Sequence, residues 1–474
     1  MHADGSNVVL LTVDCFRYDR CGFTGHHRHT TPFLDELASE SVVFDSAYAS
    51  GPDTSESFPG ILAGRLSRDC AYVESPTRKA LPDDADTVAS HFRENGYETL
   101  AVISNPQLTR RRNFDAGFDH FENLRVPEQN ESTDEPTTER DADNPLLRRL
   151  SVGQRLYDFR RRMKRLDSLP FYYKAPVVAL REYQYRTDWP TVPGEEIVSR
   201  AETALADAST PFFLWVHLMD LHGPIHPDTV REGGLCTAGP RTQFGWDADR
   251  MADIEDPRCE LRYDSALRYV DSQIERFVDG LRSAGHWDDT ALVVTGDHGE
   301  ALHDRGQYGH PHHYLYDDLL HVPVVVRDPS TDRGVDRTDR PFSLAWMHQL
   351  LSELAELPDA PVPESSDSNP FEEDDTGPIL ADSISPEGHT VSVRDDGHKA
   401  IVHSDPDSGS DEGVEIYHTD IDRGERRDVA PTYPGSSLES RATQLTVQPT
   451  ALPELGAEMS DQVEDRLKEL GYMN

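Results

Sequence analysis

An α/β fold built on a largely parallel sheet is predicted by three observations. Two apolar runs, Asn7-Val8-Val9-Leu10-Leu11-Thr12-Val13 and Ala291-Leu292-Val293-Val294-Thr295, lack polar alternation, as strands buried on both faces do. Helical and strand patterns then follow one another in a βαβ rhythm, as in the helix Thr87 to Asn95 and the strand Thr99 to Ser104. Finally, each of the two runs releases a carboxylate at its carboxyl end, Asp14 and Asp297, where open α/β sheets gather their ligands.

The 474 residues allow two or three domains, or one large α/β domain with an appendage. The formal net charge is −41, with acids spread along the chain and lysine scarce beside arginine. Such a surface repels nucleic acid and anionic membranes at low salt, so no nucleic-acid partner is expected. It suits a halophilic protein, because at about 1 M salt the Debye length falls to about 3 Å and self-repulsion is screened. The expected result is loss of structure on dialysis to low salt and recovery above about 1 M; unchanged circular dichroism across that range would remove the halophilic reading. Five cysteines (Cys15, Cys21, Cys70, Cys236, Cys259), odd in number and without zinc spacing, argue against a disulfide framework. No apolar run approaches the roughly 20 residues of a membrane span, and Met1 to Ser6 lacks the regions of a signal peptide; a cytoplasmic protein is the expectation.

In chain order, Thr31-Pro32 opens a helix through Phe33, Leu34, Leu37 and Ala38, with Thr31 as N-cap and proline at the first helical position. Val42-Val43-Phe44 is a short strand. From Ser50 to Arg65 a Gly51-Pro52 turn precedes Thr54, Ser55 and Ser57 and then an apolar helix start. A hydroxyl there is either a plain N-cap or a nucleophile set among unpaired N–H groups at the positive end of a dipole. Asn105 follows the third strand. Residues 123 to 145 turn polar, acidic and proline-containing, as a surface loop or disordered segment does. Arg148 to Arg165 reverses the sign and reads as a basic amphipathic helix, which packs on the protein's own acidic surface or makes a peripheral contact with a membrane surface or anionic polymer. This insertion ends near Trp189.

A helix from Glu195 to Ala208 leads into the strand from Phe212, which carries His217 and ends at His222-Gly223-Pro224. A histidine inside a strand is usually a core residue, so His222, in the loop, is the better site candidate of the two. Tyr263 to Leu281 is a long helix feeding the strand that delivers Gly296-Asp297-His298-Gly299-Glu300. Asp and His are both divalent-metal ligands. Then come the cluster Gly309-His310-Pro311-His312-His313 and the strand Val322 to Val326. A helix at Leu344 to Leu357, an acidic loop at Pro361 to Gly377 and strand patterns at Thr390 to Val393 and Ala400 to His403 complete the chain.

Asn7 to Asp19, Thr30 to Asp35, Thr54 to Arg65, Phe213 to Pro224, Thr295 to Glu300, Gly309 to Pro323 and the closing Arg466 to Tyr472 together resemble the sulfatase family of the alkaline phosphatase superfamily, over essentially the whole length. The resemblance implies a three-layer α/β/α sandwich at residues 5–335, carrying the insertion at about 123–190, and a small C-terminal α+β subdomain with its tail at 336–474. It also implies a divalent metal (Zn, Mn, Mg or Ca) held by Asp14, Thr54, Asp297 and His298. His222 and His310 would bind the transferred group or protonate the leaving group, His310 standing where many sulfatases have a catalytic lysine. Asn105 and His217 would lie on the substrate side.

One departure matters for the chemistry. Sulfatases carry Cys or Ser, any residue, Pro, any residue, Arg, and convert the first to formylglycine; here the run is Thr54-Ser55-Glu56-Ser57-Phe58. Oxidation of threonine would give a ketone, so Thr54 cannot become formylglycine. Cys15 also stands where calcium-type sulfatases have a second Asp. Thr54 to Pro59 and His222-Gly223-Pro224 look instead like the phosphoethanolamine transferases and lipoteichoic-acid synthases, whose nucleophile is threonine. The expectation is a metal-dependent hydrolase or transferase of phosphate-type esters through a covalent Thr54 intermediate. Its substrate would be an anionic ester of a glycan, lipid head group or small molecule. The alternatives are a true sulfuric ester hydrolase and an inactive family member that binds an anionic glycan or lipid head group.

Overall fold

The computed structural model describes residues 6–126, 191–236, 258–330, 336–358, 377–404, 411–433 and 436–455. The basic segment 148–165 and the closing Arg466 to Tyr472 lie outside the described residues. The main sheet has eight strands in the order Asp336–Thr338, Val42–Phe44, Val324–Arg327, Thr290–Gly296, Asn7–Val13, Phe212–Leu218, Glu98–Ile103, His120–Asn123. The last five run parallel, and Val324–Arg327 pairs antiparallel with both of its neighbours. The chain from Gly296 to Val324 forms a small hairpin, Ala301–Leu302 with Tyr308–Gly309, and a four-residue helix, Asp317–Leu320, in place of a long helix packed across the sheet, and it returns antiparallel.

The central strands are apolar on both faces because both faces are covered. Val8 and Leu10 pack with Phe58, Ile61, Phe92 and Leu351 on one side. Val9, Leu11 and Val13 pack with Leu34, Ile197, Val270 and Ile274 on the other. The result is helix, sheet, helix: a three-layer sandwich. The helices are Pro32–Ala38, Gly194–Asp207 and Cys259–Ala284 on the second face, and Thr54–Ala63, Val88–Glu94 and Met347–Leu354 on the first. A four-stranded antiparallel sheet, Ile379–Ser385, Gly388–Asp395, His398–Ser404 and Asp411–His418, follows. The helix Ser437–Leu445 seats Ala442 against Val391, Val393 and Val402 of this sheet.

Thr31 does not cap its helix. The N–H groups of Phe33 and Leu34 in its first turn donate instead to the Asp271 carboxylate at 2.8 and 2.9 Å, and the Thr31 hydroxyl donates to Asp35. A carboxylate from the long helix thus closes the end of a helix far away in sequence.

On the opposite face His348 is buried edge-on against His91, with ring centroids 5.4 Å apart. Burial, reinforced by His91, pushes His348 down to about 3. Because this lies below the ordinary value of about 6.5, the unfolded chain takes up the proton first as pH falls. The stability owed to a neutral His348 is complete above about pH 6.5 and is lost progressively toward pH 3. His348→Gln should therefore lose less stability than the parent on acidification, by about 1.4 kcal/mol per pH unit below about 6.5. Denaturation midpoints that fall in parallel for the two proteins would contradict this.

Candidate active site

The parallel strands all end at one edge of the sheet, and the register sets their last residues side by side. Thr12 pairs with both His217 and Thr295, and Val13 with Leu218 and Gly296, so Asp14 and Asp297 leave adjacent strands together. Gly296 and Gly299 flank Asp297-His298 because neighbouring backbone comes too close for a side chain. A β-carbon on Gly299 would sit 2.1 Å from the Asp318 carbonyl oxygen, and one on Gly296 2.6 Å from that of Phe16.

The helix Thr54–Ala63 points its N-terminus into this edge. Asp53 is its N-cap, accepting the Glu56 N–H at 3.1 Å, so the helix starts at Thr54. Thr54 is fully buried, and its hydroxyl donates to Asp14 Oδ2 at 3.2 Å and lies 3.3 Å from His298 Nε2. Asn105 donates to the same Asp14 oxygen at 3.1 Å and to Thr54 Oγ1 at 3.4 Å. The neighbouring hydroxyls serve structure instead. Ser57 donates to the Asp297 carbonyl at 2.6 Å, while Ser55 donates to the Thr77 carbonyl and accepts from Arg112 and from the Lys79 N–H.

His217 belongs to this group as closely as His222 does. Thr12 Oγ1 gives its proton to the Val216 carbonyl and accepts from Trp215 Nε1 at 3.0 Å, so its 2.9 Å bond to His217 must be donated by Nδ1–H. The lone pair is then on His217 Nε2, 3.5 Å from Asp14 Oδ2. His298 is oriented likewise: Nδ1 donates to the Gly299 carbonyl at 2.8 Å, which leaves Nε2 with its lone pair 3.8 Å from Asp14 Oδ1 and 3.6 Å from Asp297 Oδ2. Burial keeps His298 below its ordinary value, with the His310 charge adding to the effect. Burial pushes the Asp297 carboxyl up, helped by the charge of Asp14. For Asp14 burial acts in the same direction, but the nearby imidazoles outweigh it and hold its carboxyl well below the usual range.

These residues fit a divalent metal. The ligand atoms of Asp14, His217 and Asp297 lie within 4.8 Å of one another. Among the described residues Asp297 Oδ2 and His217 Nε2 are buried without a hydrogen-bond partner, an arrangement that costs free energy unless a cation fills it. Asp297 Oδ1 is occupied by the N–H groups of Cys15 and His298, so only Oδ2 faces the group.

Beside it, His310 Nδ1 lies 2.6 Å from Glu300 Oε2. Burial opposes the imidazolium, yet the Glu300 carboxylate outweighs burial and raises His310 to about 9, so the ring is a fixed cation at neutral pH. His222 is the opposite case: burial pushes it down to about 4, and its Nδ1 is 2.6 Å from the Gly223 carbonyl, so Nε2 carries the lone pair. The rings of His222 and His298 lie 5.0 and 4.8 Å from that of His310. The sequence reading left Glu300 without a role; its place in Gly-Asp-His-Gly-Glu was the available signal. His312, likewise unassigned, pairs with Asp53 at 2.9 Å, and the charge of Asp53 overcomes burial to hold it at about 10.

An α/β sandwich with a hydroxyl, carboxylates and imidazoles gathered at the strand ends defines a hydrolase acting on sulfuric or phosphoric esters, and the comparisons with known proteins place it in that class. The family model described as Sulfatase matches residues 6–354. The chain belongs to the sulfatase family. An arylsulfatase of Clostridium perfringens is 25% identical over 348 residues, covering 68% of each chain. The fold is shared with a 2-O GAG sulfatase (TM-score 0.63, 16% identity, 98% of this chain and 100% of that one). It is also shared with a phosphonate monoester hydrolase of Agrobacterium radiobacter (TM-score 0.57, 17% identity, 93% of each chain).

Proposed function

We propose that this protein cleaves or transfers a phosphate-type ester, with Thr54 as the covalent nucleophile and a divalent metal at Asp14, Asp297, His298 and Thr54. The observation that carries the reading is the division of labour among three adjacent hydroxyls: only Thr54 faces the carboxylates and imidazoles, while Ser55 and Ser57 are tied to backbone carbonyls. When bound, the metal supplies Lewis-acid stabilisation of the transferred group and lowers the pKa of the hydroxyl. His217 Nε2 is a further candidate ligand.

Asp14 Oδ2 orients the Thr54 hydroxyl and accepts its hydrogen bond, and Asn105 Nδ2 donates toward the same oxygens from the side. Thr54 Oγ1, its proton released to solvent as its pKa falls, attacks phosphorus in line, forming the Oγ1–P bond as the bond to the leaving alcohol oxygen breaks. His310, protonated and paired with Glu300, neutralises the transferred group's oxygens and donates a proton to the leaving oxygen. His222 Nε2 carries the lone pair suited to deprotonating the water or alcohol that then releases Thr54. The substrate class is an anionic ester, on a glycan, a lipid head group or a smaller alcohol.

The test is turnover of p-nitrophenyl phosphate, a p-nitrophenyl phosphonate and p-nitrophenyl sulfate by metal-loaded protein in high salt. Phosphorus esters should be turned over at least about 100-fold faster than sulfate, because a threonine alkoxide lacks the geminal diol by which formylglycine expels sulfate. Sulfate turnover equal to or above phosphate would refute the reading, and no turnover of any of the three by metal-loaded protein would favour an inactive binder.

A further inference from the structure

The Asp14–Cys15 turn carries a thiol into the middle of the carboxylates. Cys15 is fully buried, its Sγ 3.0 Å from Asp14 Oδ1, 3.3 Å from Glu300 Oε2 and 3.7 Å from His310 Nδ1. Its backbone adopts a left-handed conformation (φ 62°) that side-chain-bearing residues rarely take. Three bonds hold it there: its N–H donates to Asp297 Oδ1 at 3.3 Å, its carbonyl accepts from Tyr263 Oη at 2.6 Å, and the N–H of Arg17, two residues on, donates to that same Tyr263 oxygen. The turn that places Cys15 is thus tied to the turn that places Asp297.

We infer that Cys15 supplies a thiolate ligand to the metal centre and makes that centre prefer a thiophilic cation of the zinc class over calcium or magnesium. The inference rests on the metal-dependent reading above and goes beyond it in naming the ligand and the class of ion.

A buried cysteine is ordinarily a small apolar filler. Cys15 does border the apolar cluster, but its sulfur also lies 3.0 and 3.3 Å from two carboxylate oxygens and 3.7 Å from an imidazole nitrogen, contacts that an apolar filler does not make. One S–H serves one acceptor, yet two carboxylate oxygens lie within its reach. Independently, Asp297 Oδ2, 3.6 Å from His298 Nε2, is buried with no hydrogen-bond partner among the described residues, a position that suits a cation. Geometry permits the sharing. The candidate ligand atoms of Cys15 and His298 fall within 4.8 Å of each other, and oxygen and sulfur bound to one ion at about 2.0–2.2 and 2.3 Å sit roughly 3 to 3.6 Å apart, which the 3.0 Å Asp14–Cys15 separation nearly satisfies. On binding, the sulfur–metal bond replaces the S–H bond and the proton leaves to solvent, with no change of oxidation state. His310 Nδ1 is engaged by Glu300 Oε2 at 2.6 Å, and His310 is not counted among the ligands. Thiolate is a soft ligand, and adding it to carboxylate and imidazole moves selectivity toward zinc and cobalt.

The test is metal titration of the stripped full-length protein with Co²⁺, Zn²⁺ and Ca²⁺, using the parent, Cys15→Ser, Cys15→Asp and Asp297→Asn. The cobalt form of the parent should show the intense near-ultraviolet thiolate-to-cobalt charge-transfer band. Cys15→Ser should lose that band and bind zinc about 10- to 100-fold more weakly, and Cys15→Asp should shift the preference toward calcium. Cobalt that binds in an Asp297-dependent way without the band, or with zinc affinity unchanged in Cys15→Ser, overturns the role of Cys15 while leaving the metal centre standing. Cobalt that does not bind, or binds indifferently to Asp297→Asn, overturns both. If Cys15→Ser does not fold, the spectrum of the parent protein decides alone.

Discussion

Thr54→Ala should reduce turnover of the best phosphorus ester by about four to six orders of magnitude, the range seen when a covalent nucleophile is removed from a preorganised site. The fold should survive, because the side chain lost is small and the helix start is capped by Asp53, not by Thr54. Acid-quenched parent protein should carry a phosphoryl-type adduct on the peptide containing Thr54, and Thr54→Ala none. Ser55 and Ser57 are the internal controls. Each hydroxyl is already committed to a backbone carbonyl, at 3.0 and 2.6 Å, so Ser55→Ala and Ser57→Ala should cost stability more than chemistry. An adduct mapped to either serine would move the nucleophile and undo the mechanism. Efficient sulfate turnover surviving in Thr54→Ala would do the same.

Asp297→Asn should abolish metal binding and, with it, activity. Asparagine is the informative replacement because it preserves an oxygen for the N–H groups of Cys15 and His298, at 3.3 and 2.8 Å, while removing the charge and the ligand at Oδ2. Alanine would break those bonds as well and confuse the two effects. Without metal, Asp14 and Asp297 share a buried pocket in which their charges repel, so the metal-free variant should be at least as stable as the metal-free parent. With metal the order reverses. The parent should gain about 2.7 kcal/mol at a free-metal concentration near 100 times its dissociation constant, and the variant nothing. Calorimetry with and without metal, alongside elemental analysis, separates these outcomes; full occupancy in Asp297→Asn would remove Asp297 from the site.

The strands and the chemistry at their ends were readable because the information is local. A run such as Val8 to Val13 is apolar without alternation, which only a doubly covered strand tolerates, and the carboxylate follows it directly in the chain. The same holds for Thr290–Gly296 with Asp297 and His298. Parallel strands end on one edge, so Asp14, Asn105, His222, Asp297 and His298 could be grouped from sequence as candidates. The threonine in place of a formylglycine precursor is likewise a statement about residue identity. The C-terminal sheet was half legible. Ile379–Ser385 mixes apolar with polar residues, and its polar members are buried only because distant groups satisfy them: Asp382 accepts the N–H groups of Ser67 and Arg68 and contacts His389 at 3.1 Å.

Tertiary structure alone decided the working details of the site, because each depends on a pairing that the fold, and not the local residue pattern, brings about. His217 reads as a core residue until the register sets it against Thr12 and the Trp215 indole fixes which ring nitrogen bears the proton. Glu300 and His310 become an ion pair, and His310 a cation, only when the chain folds back to 2.6 Å. Cys15 and Glu300 are 285 residues apart, and the meeting of the sulfur with that carboxylate at 3.3 Å, beside Asp14, is what turns a small buried thiol into a candidate ligand. Residue type and strand pattern set which groups arrive at the sheet edge. The distances, tautomers and charges that make them a site come from burial and from partners that sequence proximity does not supply.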